Sequence, residues 1–202
     1  MILLVILLVI GVLLWLFLTR REGFDAQSSF ALNRQWRLLW EQHTLWTRTL
    51  MISIASNSAN QVATSARLFK NVSDMAAVMD RYFGSNVAGK FSNLFSAHVT
   101  IADQLISAAR DNQTQRFISL KKEWFDNATQ ISNFLSSINT YWKRDVINEI
   151  MNSYLRLSLT EATSYLNGNF DDDINAYDAV ERESLLMADM FSEGIVSRFS
   201  AV

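Results

Sequence analysis

The chain has 202 residues with 18 basic and 20 acidic side chains, a net charge of −2 with histidine neutral. That balance argues against a nucleic-acid footprint, which needs a clustered basic surface, and the lack of cysteine excludes disulfides and thiolate metal sites. With no proline and only 6 glycines, little can interrupt helices, and turn residues are too few for a β-sandwich.

Met1 to Leu18 reads MILLVILLVIGVLLWLFL, without a charged or polar side chain. At about 1.5 Å per residue such a helix spans roughly 27 Å, close to the hydrocarbon thickness of a bilayer. No basic residue precedes the run, and Thr19-Arg20-Arg21-Glu22 rather than a small-residue cleavage site follows it. The pattern therefore predicts one uncleaved transmembrane helix over residues 1–19. Arg20 and Arg21 place the rest of the chain on the cytoplasmic side. A polar joint follows over residues 20–29, with Gly23 as its flexible point, and then a helical-bundle domain over residues 30–202.

Helical patterns succeed one another from there. Phe30 to about Ser56 carries Trp36, Trp40, His43, Thr47, Leu50 and Ile54 on one stripe. Gln61 to Lys70 and Ser73 to Phe83 read as two shorter helices, the second opening on a Ser73-Asp74 cap. Val87 to Arg110 aligns Phe91, Phe95, His98, Ala102, Leu105 and Ala109; Thr114 to Ile138 and Arg144 to Leu166 come next. Asn167-Gly168-Asn169 is the clearest stop, and Asp171 to about Phe199 closes the chain behind acidic residues that suit a helix N-terminus. No internal repeat is visible. Amphipathic stripes on long helices with short connections mean an all-α, antiparallel bundle. The triplets Asn71-Val72-Ser73, Asn112-Gln113-Thr114 and Asn127-Ala128-Thr129 match the glycosylation sequon but carry no weight for a cytoplasmic domain.

Both histidines of the chain, His43 and His98, fall on apolar stripes. In the last helix the stripe Ile174, Asp178, Glu181, Leu185, Ala188 and Ile195 would turn two carboxylates inward, and Glu161 shares a face with Leu157 and Tyr154. Buried ionisable groups cost several kcal/mol unless paired or bound to metal. His43, His98, Glu161, Asp178 and Glu181 are accordingly the candidates for a first-row transition metal site. Against this, the paired Glu-x-x-His motifs of di-iron bundles are missing, which favours a hydrogen-bonded polar core with no cofactor. Phosphate loops, nucleophile elbows and zinc-protease helices are absent.

Several stretches point further: Leu39-Trp-Glu-Gln-His-Thr-Leu-Trp-Thr-Arg48, His98-Val-Thr-Ile-Ala-Asp-Gln-Leu-Ile-Ser-Ala-Ala109, Trp124-Phe-Asp-Asn-Ala128, Phe134-Leu-Ser-Ser-Ile-Asn139, Tyr141-Trp142, Asp173-Ile-Asn-Ala-Tyr-Asp-Ala-Val-Glu181, Met187-Ala-Asp189 and Gly194-Ile-Val196. Together, over Leu39 to Phe199, they resemble a family of small helical-bundle proteins of spore-forming and related bacteria, sometimes labelled acetylglutamate kinase, a label these residues do not support. The family pattern has proline at Thr140, an acid at Gln130 and histidine at Tyr154. If the family core binds metal, those departures put the site in doubt here. The apolar N-terminus followed by Arg20-Arg21-Glu22-Gly23-Phe24 is similar to that of membrane-associated virion proteins of large DNA viruses. These likenesses imply a non-enzymatic structural protein, a minor capsid or inner-membrane virion component. Its partners would be a lipid membrane and neighbouring capsid or membrane proteins, with the bundle lying between inner membrane and capsid. A membrane-tethered metal-binding or redox bundle is the alternative.

Overall fold

The computed structural model describes residues 24–200. They form six helices: α1 (Ala26–Ala55), α2 (Gln61–Phe83), α3 (Ser85–Arg110), α4 (Thr114–Ile138), α5 (Arg144–Leu166) and α6 (Phe170–Ser200). Each packs on its neighbours in the chain and α6 returns against α1, so the six close into a ring. The odd-numbered helices α1, α3 and α5 also touch one another across the middle of that ring.

The all-α bundle stands, with four corrections. Among the described residues no helix is long and apolar enough to cross a membrane. Residues 1–19, where the apolar run from Met1 to Leu18 predicts the anchor, lie outside the described residues, as do Arg20 and Arg21 behind it. The polar joint is shorter than expected because Asp25 caps α1, its carboxylate accepting from the Ser28 backbone N–H at 2.6 Å. The two short helices between Gln61 and Phe83 are one. Ser73, read as a cap, instead donates back to the Phe69 carbonyl one turn earlier inside a continuous helix.

The fourth correction concerns repetition. The turn after α1 has Asn57 at φ 50°, with Ser58 N–H donating to the Ser53 carbonyl. The turn after α3 has Asn112 at φ 56°, with Gln113 N–H donating to Ala108, and the turn after α5 has Gly168 at φ 76°, with Asn169 N–H donating to Ser164. All three are the same left-handed helix stop. Burial repeats too. Every buried position of α2 recurs 56 residues later as a buried position of α4: Leu68 with Trp124, Asn71 with Asn127, Met75 with Ile131, Met79 with Leu135. In α6 the series continues through Val180, Met187 and Phe191. The inner helices match likewise, Trp36 with Phe91 and Ile147, and Trp40 with Phe95 and Met151. The described residues form three helical hairpins with corresponding buried positions, packed so that α1, α3 and α5 meet along a central axis. Sequence periodicity did not show this because few residue types survive; the positions do.

The link from α4 to α5 closes one end of the ring. Trp142 is 1% exposed, its indole N–H donates to the Met190 carbonyl at 3.0 Å, and its ring sits against Gly194. A Cβ at Gly194 would fall 1.9 Å from the indole nitrogen, so only glycine fits there.

Candidate functional site

The polar core is built on equivalent positions of the three hairpins. His43 of α1 and His98 of α3 are 4% and 6% exposed. The Nδ1 of His43 lies 3.0 Å from the Asn71 Oδ1, and the Asn71 amide donates to the Leu39 carbonyl, one turn before that histidine. The second hairpin repeats the arrangement: His98 Nδ1 to Asn127 Oδ1 at 2.7 Å, and Asn127 amide to the Leu94 carbonyl. Each asparagine spends its N–H on the carbonyl, so its oxygen faces the ring and must accept. Both histidines therefore carry their proton on Nδ1 and keep a bare lone pair on Nε2. Burial holds both imidazoles neutral, pushing them down to about 4 against the opposing asparagine bonds, and in His98 the nearby His43 adds to the shift.

In the third hairpin the matching positions are Tyr154 and Glu183, and no such clamp forms. Tyr154 is buried, which raises its phenol above the usual range. Glu183, half-buried, accepts instead from Ser153 at 2.7 Å. Charge enters here. At the position of Leu50 and Leu105 the third hairpin has Glu161, and Arg48 of α1 reaches its Oε1 at 2.6 Å. The same guanidinium forks onto Asp173 of α6, at 2.9 and 2.8 Å, beneath the ring of Tyr177. Two carboxylates thus share one cation, and Asp173 takes the bidentate half. Glu161 is pushed up to about 7, burial outweighing the Arg48 bond and Asp173 adding to the rise. The Arg48 cation is correspondingly held more firmly charged, chiefly by the Asp173 bond.

The five sequence candidates therefore separate. His43 and His98 line one small cavity together with Tyr154; Glu161 is buried, but in the arginine cluster. Asp178 and Glu181 are exposed. In its first half the inward stripe of α6 runs through Asp173, Ala176, Val180 and Ser184 instead, one or two positions off the expected one, whereas Ala188 and Ile195 of the expected stripe are buried. Among the described residues no group of three or more histidine, aspartate or glutamate side chains is placed to hold a metal ion. Sequence reasoning missed Arg48, Asp173, Asn71 and Asn127. The asparagines leave a signal in the like segments Leu68-Phe69-Lys70-Asn71 and Trp124-Phe125-Asp126-Asn127, each downstream of a Leu-aromatic-x-x-His, although both also read as sequons.

On the surface, Tyr141, Lys143, Val146, Ile150, Leu186 and Met190 line an open groove of about 440 Å³ between the start of α5 and the end of α6, with Asp189 and Glu193 on its rim. No family model, curated protein or solved structure matches this chain.

Proposed function

We propose that this chain is a structural protein that works by contact, its helical bundle holding neighbouring proteins of an assembly rather than transforming a substrate. The observation that carries the reading is the groove between α5 and α6. Tyr141, Val146 and Leu186 are 49%, 49% and 52% exposed there, adjacent rather than scattered. A rimmed apolar concavity is where a partner gains most from burial. The buried ionisable groups support the same reading, because they are engaged within the bundle: the imidazoles with asparagine, Arg48 with Glu161 and Asp173. In this reading the chain is akin to the small bacterial bundles its sequence resembles, reused as a scaffold. The finer form makes it a minor virion component whose neighbours are capsid or membrane-associated proteins.

A photo-crosslinking residue at Leu186 tests the reading in the native setting, with one at Ile118, 56% exposed on α4, as the control. A discrete protein adduct from position 186 and none from 118 is expected. Equal labelling from both, or from neither, overturns the proposal. For the finer form, mass spectrometry should find the chain in purified particles at fixed stoichiometry.

A further inference from the structure

The three-hairpin arrangement stacks equivalent residues in layers along its axis, independently of the surface groove. One layer is His43, His98 and Tyr154; the next, one turn on, is Thr47, Ala102 and Ser158; the next is Met51, Ile106 and Ala162. A cavity of about 20 Å³ is lined by His43, His98, Tyr154, Thr47, Ala102 and Trp124. A second, of about 30 Å³, is lined by Thr47, Ala102, Trp124, Ser158 and Glu161. The two chambers share the middle layer.

Four polar atoms on these walls are buried without a well-formed hydrogen bond among the described residues: Trp124 Nε1, Ser158 Oγ, Thr47 Oγ1 and Tyr154 Oη, whose hydroxyl lies near those of Thr44 and Thr47. Tyr154 and Trp124 are 5% and 4% exposed, so bulk water does not serve them. Stranding such groups is unfavourable, and several around one axis would consume much of a domain's stability. The histidines add two acceptors, because their bonds are through Nδ1 and leave the Nε2 lone pairs unused.

We propose that the axis is a built internal site for water-sized, uncharged hydrogen-bonding ligands, holding one water molecule in each chamber. A water needs roughly 10–15 Å³ and two to four polar partners, and both chambers meet that measure. In the first, the water donates its two hydrogens to Nε2 of His43 and His98 and accepts from the Tyr154 and Thr47 hydroxyls. In the second, it accepts from the Trp124 indole N–H and donates to Ser158 and the Glu161 carboxylate. A cation would meet one carboxylate in the first chamber, Asp103, with both imidazoles neutral and already spent on one side, and among the described residues no three such groups are placed to hold a metal ion. An anion would meet no free basic group, since Arg48 is divided between two carboxylates. The departure of the third hairpin from the clamp is then what makes the site: a third imidazole would bring a third acceptor, whereas Tyr154 supplies a donor.

Oxygen-17 magnetic relaxation dispersion on the full chain counts waters that stay bound for longer than nanoseconds. The wild type should show a dispersion amplitude equal to one water per chamber. Ala102→Val, which fills the shared layer with methyl groups and touches no polar atom, should remove at least half of that amplitude, and Ile118→Ala none. Should Ala102→Val fail to fold, Thr47→Val keeps the shape while deleting the hydroxyl common to both chambers, and should also lower the amplitude. A wild type without dispersion, an amplitude unchanged in the folded variants, or a metal ion found at one per chain by elemental analysis overturns the proposal.

Discussion

The first two hairpins and the third solve the same packing problem with different chemistry. In α1–α2 and α3–α4 the polar core position is a neutral histidine held by an asparagine, whose amide is anchored one turn back on the histidine's own helix. Every group in that clamp belongs to its own hairpin, so each clamp forms locally and needs no charge. In α5–α6 the clamp is replaced, and the ion cluster beside it borrows its cation, Arg48, from α1. The third hairpin is thereby tied to the first, where the ring must close. A neutral local device serves within hairpins, and a charged long-range one serves the closure.

Removing the shared cation should break this contrast most severely. Arg48→Met leaves Glu161 and Asp173, 4% and 2% exposed, as buried carboxylates without a partner. Breaking a buried ion pair from one side costs about 3–5 kcal/mol, to be read as a lowered urea midpoint. If the cluster acts as a unit, adding Glu161→Gln and Asp173→Asn should recover most of the loss, because no uncompensated charge remains. An Arg48→Met protein as stable as wild type would mean that the closure does not depend on the cluster.

Acidity separates the two regions next. The histidines fall from 6.5 to about 4 on folding, so the unfolded chain binds their protons first. Their contribution is whole above pH 6.5 and is lost as pH falls towards 4, by about 3 kcal/mol for each. Glu161 rises from 4.5 to about 7, so its contribution is whole below pH 4.5 and is lost as pH climbs through 7, by a similar amount. Between pH 6.5 and 4.5 the two effects oppose, and the net loss on acidification is about 3 kcal/mol. Glu161→Gln removes the opposing group and should roughly double the acid dependence across that window, measured by urea melts at successive pH values. Parallel curves for the two proteins would contradict the assignment of the titrating groups.

The two clamps can be compared directly. Asn71→Ala and Asn127→Ala each strand an imidazole N–H in the core, at roughly 1–3 kcal/mol for a group that water cannot reach, while the leucine carbonyl keeps its bond within the helix. Equivalence of the hairpins requires similar losses in both, measured by thermal or urea unfolding. A large loss at one site and none at the other would show that the repeat is one of shape only.

Much of the fold was legible. The boundaries of α4 and α5 follow from their stripes, and Asn167-Gly168 is the stop it looks like, because a left-handed residue is needed there. The continuity of α2 was not legible. Asn71, Ser73 and Asp74 resemble a helix break when their partners are unknown, yet Asn71 is fully buried beside His43. Glu161 and the two histidines could be picked out as ionisable groups on apolar faces. Arg48 could not, since the partner that draws it inward lies 125 residues away.

The smallest effect sharpens the same contrast from the surface. A stripe through Ile174, Asp178 and Glu181 and one through Asp173, Val180 and Ser184 fit the sequence of α6 about equally, because 3.6 residues per turn lets neighbouring registers both collect apolar residues. The ring decides between them: Ile174 is 52% exposed and Asp173 only 2%. Asp178→Ala and Glu181→Ala should therefore shift stability by no more than about 0.5 kcal/mol, the range for surface positions away from caps and networks. Asp173→Ala, in the same helix, should approach the effect of losing Arg48, because it deprives the guanidinium of its bidentate partner. Thermal melts of the three variants read this out. If Asp178 or Glu181 proved as costly as Asp173, α6 would be turned about its axis from the register that forms the arginine cluster, and the closure would have to be carried by other residues.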